Sequence, residues 1–296
     1  MTHPYWQVFI VILLFSLVSA CTGTPQKTPA PVLSSTPLPQ ATPTITAVAT
    51  SMTPQPTPRS VDNWKDWPIL PVVSDHAKAI YAHGLQLGTD PHRFSVFGDC
   101  QSMPNYFMAR YDEDAVLVAQ LPANLQETIH YFTGSFMQTD PTVWPGTDFA
   151  AILWDGWVQP IFNYCKENET PLDCVLRVRN PSIVLINLGT HYEGRDYGYL
   201  TDMLQQLIDK GVLPVLAFKA DNKEGDDSLN REIAQAAIQF DLPVWNFYRA
   251  ASALENNGLK QSPDAHDIYL TDEGLELHRY SALQALDSVW RQLTGK

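Results

Sequence analysis

Five short apolar runs alternate with stretches of helical periodicity along this 296-residue chain. The runs are Phe94–Phe97, Phe149–Leu153, Ser182–Leu188, Leu213–Phe218 and Pro243–Phe247, and each is predicted to be a strand. Helices are predicted near 75–86, 101–109, 121–133, 197–210, 228–239 and 272–293. In 197–210, Leu200, Met203, Leu204, Leu207 and Ile208 share one face, and Gly211 closes the helix. In 272–293, Leu275, Leu277, Leu283, Leu286, Val289 and Trp290 form a similar face, with Thr271 or Asp272 as the cap. Strands that are apolar on both faces and alternate with helices imply a parallel sheet covered on both sides. The expected body, residues 61–296, is one α/β domain with a central parallel sheet of about five strands.

The N-terminus has a different character. Residues 7–20 are an apolar run ending in small residues, too short for a comfortable membrane span and suited to a signal-peptide core. Leu17-Val18-Ser19-Ala20-Cys21 resembles the lipobox of bacterial lipoproteins. That resemblance implies cleavage before Cys21 and lipid attachment to it, although the segment before the run has no Lys or Arg. Residues 22–60 hold nine prolines and ten threonines, almost no charge and no apolar periodicity. Such a stretch buries no core and reads as an extended tether. The expected location is extracytoplasmic, with the lipid anchor as the membrane partner.

Charge narrows the possible partners. Residues 1–60 carry no acid and only Lys27 and Arg59, so the 32 acids and 17 bases of the rest give it a formal charge of −15. An acidic body is a poor partner for nucleic acid, whose affinity comes largely from Lys and Arg on phosphate. No cofactor is expected: there is no glycine-rich phosphate loop, and the eight histidines show no HxxxH spacing for a metal. Of the four cysteines, Cys165 and Cys174 flank a polar stretch and are expected to form a disulfide outside the cytoplasm. With Cys21 lipidated, Cys100 is left over.

Ligand sites in parallel sheets lie where strands end and loops begin. The first run is followed by Gly98-Asp99-Cys100-Gln101-Ser102, the third by Gly189-Thr190-His191-Tyr192, and the fourth by Lys219-Ala220-Asp221-Asn222. Asn246 follows Pro243–Trp245 of the fifth, and Asp264-Ala265-His266-Asp267-Ile268-Tyr269-Leu270-Thr271 precedes the last helix. A nucleophile-type residue, two histidines and several carboxylates are thus predicted on one sheet edge.

This order of blocks resembles the SGNH (GDSL-like) hydrolase superfamily over about 94–290. The match rests on Val96-Phe97-Gly98-Asp99-Cys100-Gln101-Ser102 and on Tyr269-Leu270-Thr271-Asp272-Glu273-Gly274, with Gly134 as a possible second-block glycine. The resemblance implies a three-layer flavodoxin-like fold and ester hydrolysis. It also implies a nucleophile in the first block, oxyanion donors at Gly134 and in the third block, and a base before the last helix. The signature residues are replaced, however. Cys100 stands for the serine, His191 for the asparagine, Tyr192 for the aspartate and Tyr269 for the histidine.

The chemistry can still be assembled from what remains. A thiol needs less help from a base than a hydroxyl, because its free pKa is near 8.5. His266 or His191 is the candidate base, with Asp264 or Asp267 orienting His266. Asp99 reads as a cap on the turn, and Gln101 and Tyr269 join the binding candidates. Lys219, Asp221 and Asn222 read either as a satisfied polar cluster or as part of a sugar-binding rim. Trp144, Trp154 and Trp157 with Tyr164 read as packing or as a carbohydrate-stacking platform. Two functions follow: an esterase acting on ester-bearing, possibly O-acetylated glycan substrates, or an inactive relative that binds glycan or protein in the former cleft.

Overall fold

The computed structural model describes residues 58–191, 197–261 and 268–296. The signal segment, Cys21, most of the tether, Tyr192 and Asp264–Asp267, with His266, lie outside the described residues. Four parallel strands form one sheet in the order β1 (Asp90–Gly98), β2 (Pro181–Asn187), β3 (Leu213–Ala217) and β4 (Val244–Trp245). Ten helices accompany them among the described residues. They are α1 (Asp75–Leu87), α2 (Arg110–Glu113), α3 (Ala115–Ala119), α4 (Ala123–Tyr131), α5 (Phe149–Ile152), α6 (Pro171–Arg179), α7 (Tyr197–Asp209), α8 (Ser228–Gln239), α9 (Phe247–Ala251) and α10 (Asp272–Thr294). This is the expected α/β architecture with a parallel sheet.

The sheet is central because of its composition. All seven residues of β2 and all five of β3 are buried, as continuous apolar runs in a parallel sheet require. The helices begin and end on local signals. Ser74 accepts the Ala77 N–H at the start of α1, and Gly88 closes that helix in the left-handed conformation (φ 94°). Thr271 accepts the Gly274 N–H to start α10. On α10, Leu286, Val289 and Trp290 are fully buried, and burial of such side chains contributes roughly 1.5–3 kcal/mol each. The body starts slightly before residue 61: Arg59 donates to the Leu242 carbonyl, and the Ser60 hydroxyl caps the turn Val61–Asp66.

Three sequence expectations are corrected. Phe149–Leu153 is not a strand but contains α5, because Asp148 caps it by accepting the Ala151 N–H (2.8 Å). Periodicity cannot separate strand from helix in so short an apolar run. The edge beside β1 is taken instead by Thr142-Val143, where Gly98 N–H donates to Thr142 O and Gly98 bridges Val143 in parallel. The stretch 101–109 is a short 3₁₀ turn (Cys100–Ser102) followed by turns, with Pro104 unable to donate an N–H to a continuing helix. The last run keeps only two strand residues, because Asn246 turns the chain and caps α9 through Arg249 N–H. Helix α6, which carries Cys174, lacked a sequence prediction. Thr170 caps it and Pro171 opens it.

Cys165 and Cys174 are joined, with 5.3 Å between their Cα atoms. Among the described residues no helix is long and apolar enough to cross a membrane.

Candidate active site

The register aligns the strand ends. Gly98 of β1 lies opposite Asn187 of β2, Ile186 opposite Leu216, and Ala217 opposite Trp245. The polar residues that follow these strands are therefore brought to one edge. Two glycines let the chain turn there. A Cβ on Gly98 would lie 2.2 Å from Ser102 Cβ, so the turn after β1 closes only on glycine. Gly189 has φ 114°, and a Cβ there would sit 2.6 Å from the Leu229 side chain.

Asp99 is the pivot of the edge. One carboxylate oxygen accepts the Gln101 N–H (3.1 Å), which caps the Cys100–Ser102 turn. The other accepts from Lys219 Nζ at 3.1 Å, and the two side chains are 2% and 4% exposed. Lys219 is held in turn by Asn230, which accepts the Lys219 N–H (2.8 Å) and donates to the Lys219 carbonyl (2.9 Å). A buried ion pair of this kind survives only where its geometry and remaining hydrogen bonds are met. The capping role expected for Asp99 is therefore present, with a buried cation added to it.

Asp221 completes the buried cluster. Its Oδ2 accepts from Thr190 Oγ1 (3.0 Å), while Oδ1 has no hydrogen-bond partner among the described residues. Burial pushes its carboxyl above the ordinary aspartate range, against the pull of Lys219. His191 is half-buried beside these groups. Desolvation lowers its pKa; Asp99 and Asp148 oppose the shift, and Lys219 and Lys223 add to it. A neutral imidazole at this edge is able to accept a proton.

Gln101 connects this edge to the segment before α10. Its side-chain amide donates to the Ile268 carbonyl and accepts the Leu270 N–H (3.1 Å). The backbone on either side of Tyr269 is thereby held to Gln101 of the Cys100 turn. Cys100 itself is half-buried and outside the disulfide. Other candidates fall elsewhere. Gly134 is not at this edge: its N–H donates to Asp112 (2.8 Å), and its carbonyl accepts from Arg93 near the start of β1. Asn222 serves its own loop, accepting the N–H groups of Gly225 and Asp227.

Sequence reasoning missed the layer beneath. Asn187 donates from one amide nitrogen to Ser102 Oγ (3.0 Å) and to His278 Nε2 (2.7 Å). With Nε2 accepting, the proton of the neutral ring sits on Nδ1. His278 is packed among Phe107, Trp245 and Phe247, with ring centroids 4.6–5.1 Å away. The polar end of an apolar run was a visible signal for Asn187; His278 had none, being one residue among the many of α10.

Burial depresses the His278 pKa well below 6.5, with Lys219 and Arg279 adding to the shift. The unfolded chain therefore binds a proton that the folded chain refuses, and stability is lost as pH falls below about 6.5. His191 acts in the same direction, and Asp221, with its raised pKa, in the opposite one. The difference between wild type and His278→Gln isolates the His278 contribution. Urea midpoints from pH 7.5 to 5 are expected to fall more steeply for wild type. Parallel slopes would contradict a buried neutral ring.

No family model matches the chain, and no curated protein matches it. Among solved structures it is similar to a GDSL-like lipase from Bacteroides thetaiotaomicron VPI-5482, at 17% identity and TM-score 0.40, over 73% of this chain and 100% of that one. What the fold and the edge define together is an α/β protein whose polar cluster lies at the C-terminal ends of a parallel sheet.

Proposed function

We propose that the protein is an SGNH-like ester hydrolase with Cys100 as nucleophile and His191 as the base. The observation that carries this reading is the convergence of the Cys100 turn, His191 and the Asp99–Lys219 pair on one sheet edge. In this scheme His191 takes the thiol proton, the thiolate adds to the acyl carbon, and the alcohol leaves with that proton. Water then releases the acyl group. Gly134 does not serve as the oxyanion donor in this scheme, since its N–H is committed to Asp112. His266 remains a second candidate base.

The substrate class proposed is an ester-bearing molecule outside the cell, with O-acetylated glycan as the preferred case. An extracytoplasmic lipoprotein, tethered through Cys21 and residues 22–60, suits the lipobox-like segment and the Cys165–Cys174 bond. The competing reading is a non-catalytic binder of glycan or protein, favoured by Tyr269 standing at the base position.

The test is turnover of 4-nitrophenyl acetate, 4-nitrophenyl butyrate and acetylated xylan by the full chain, before and after thiol alkylation. Turnover that alkylation removes is expected. No turnover on any of the three by a folded chain would sink the enzyme reading for these esters and leave the binder.

A further inference from the structure

A cleft of about 460 Å³ is lined by residues that include Asp148, Ala151, Leu153, Trp154, Trp157 and Tyr199. Its volume lies within the roughly 300–1,000 Å³ typical of ligand sites. We infer that this cleft binds a neutral pyranose ring of a glycan, stacked on Trp154. The inference deepens the proposed function and rests on it for the link to esters, although binding is measured without turnover.

Three observations carry it. First, the aromatic surface is exposed and pre-set. Trp154 is 58% exposed and Tyr199 45%. A Cβ on Gly156 would lie 2.5 Å from the Trp154 indole, so the indole lies directly on the glycine backbone. Trp157 is pinned by its Nε1–H donating to Thr147 Oγ1 (3.1 Å), and its ring edge packs 3.5 Å from the Cβ position of Gly146. A rigid aromatic platform loses little side-chain entropy on binding.

Second, the cleft shares Asp148 with the electrostatic surroundings of His191. Asp148 lines it, caps α5, and acts electrostatically on His191. Third, the chemistry of the lining selects among ligands. Aromatic faces with an adjacent carboxylate suit the apolar C–H face and outward hydroxyls of a sugar. A long acyl chain needs an enclosed apolar cavity that covers most of its surface, and more than half of Trp154 remains in solvent. Anionic sugars face Asp148 and a body of charge −15.

The test titrates the full chain with xylohexaose, cellohexaose, mannohexaose and chitohexaose, read by calorimetry and tryptophan fluorescence. At least one of them is expected to bind and perturb the fluorescence. Trp154→Ala is expected to weaken that binding at least 10-fold, Tyr199→Ala less so, and Trp154→Phe to restore part of it. Exposed residues are replaced, and unchanged near-ultraviolet circular dichroism outside the tryptophan lost serves as the folding control. Absence of binding by all four at millimolar concentration, or binding indifferent to Trp154→Ala, would overturn the inference. Oligosaccharide binding without ester turnover would overturn only the enzyme reading, and turnover without oligosaccharide binding only the cleft.

Discussion

Lys219→Ala is expected to destabilise the folded chain by about 3–5 kcal/mol, the range for removing one partner of a buried ion pair. Lys219 Nζ lies 3.1 Å from Asp99 Oδ2, and neither side chain is more than 4% exposed. Water cannot replace the cation there without opening the strand ends. Asp221 is buried nearby, and the deletion also removes the favourable pull of Lys219 on its carboxylate. The double variant Asp99→Asn/Lys219→Met removes both charges and fills the space, and is expected to recover most of the loss. Urea unfolding of the three chains checks this. A loss below about 1 kcal/mol for Lys219→Ala would mean that the pair is hydrated, as an exposed pair would be.

Cys100→Ala is expected to remove ester turnover by at least about 10³-fold, the scale on which hydrolases lose rate when their nucleophile is deleted. The stability of the variant should hardly change, because Cys100 is half-buried at the start of a short turn and outside the disulfide. His191→Gln is expected to cost about 10²–10⁴-fold, the usual contribution of a general base. Cys100→Ser distinguishes the roles further. A hydroxyl depends on its base far more than a thiol does, so the serine chain should be slower than wild type yet faster than the alanine chain. Turnover that persists in Cys100→Ala would place the chemistry on another residue. If His191→Gln keeps full rate while His266→Gln loses it, the base is His266 and His191 serves as a hydrogen-bond donor.

Much of the fold was legible because burial on both faces leaves a plain trace. Ser182–Leu188 and Leu213–Phe218 read as strands for the same reason that β2 and β3 are buried throughout. The cap at Thr271 is a local interaction, and local interactions are written within a few residues. Phe149–Leu153 failed because five apolar residues carry no period, and a single hydrogen bond from Ala151 to Asp148 decided the outcome. That misreading also hid Asp148, which lines the aromatic cleft.

The sequence alone determined that residues 98–102, 189–191 and 219–221 follow strands of one parallel sheet, and so share an edge. It did so because alternating apolar runs and helices permit few other arrangements. Only the tertiary structure decided what those residues do to one another. Lys219 meets Asp99 across 120 positions, Gln101 holds Ile268 and Leu270 across more than 160, and Asn187 reaches His278 across 91. Gly134 fitted the pattern of blocks but is spent on Asp112 near the far end of β1. Contacts between distant side chains depend on strand register and on which groups are buried together, and neither quantity is carried by any short stretch of chain.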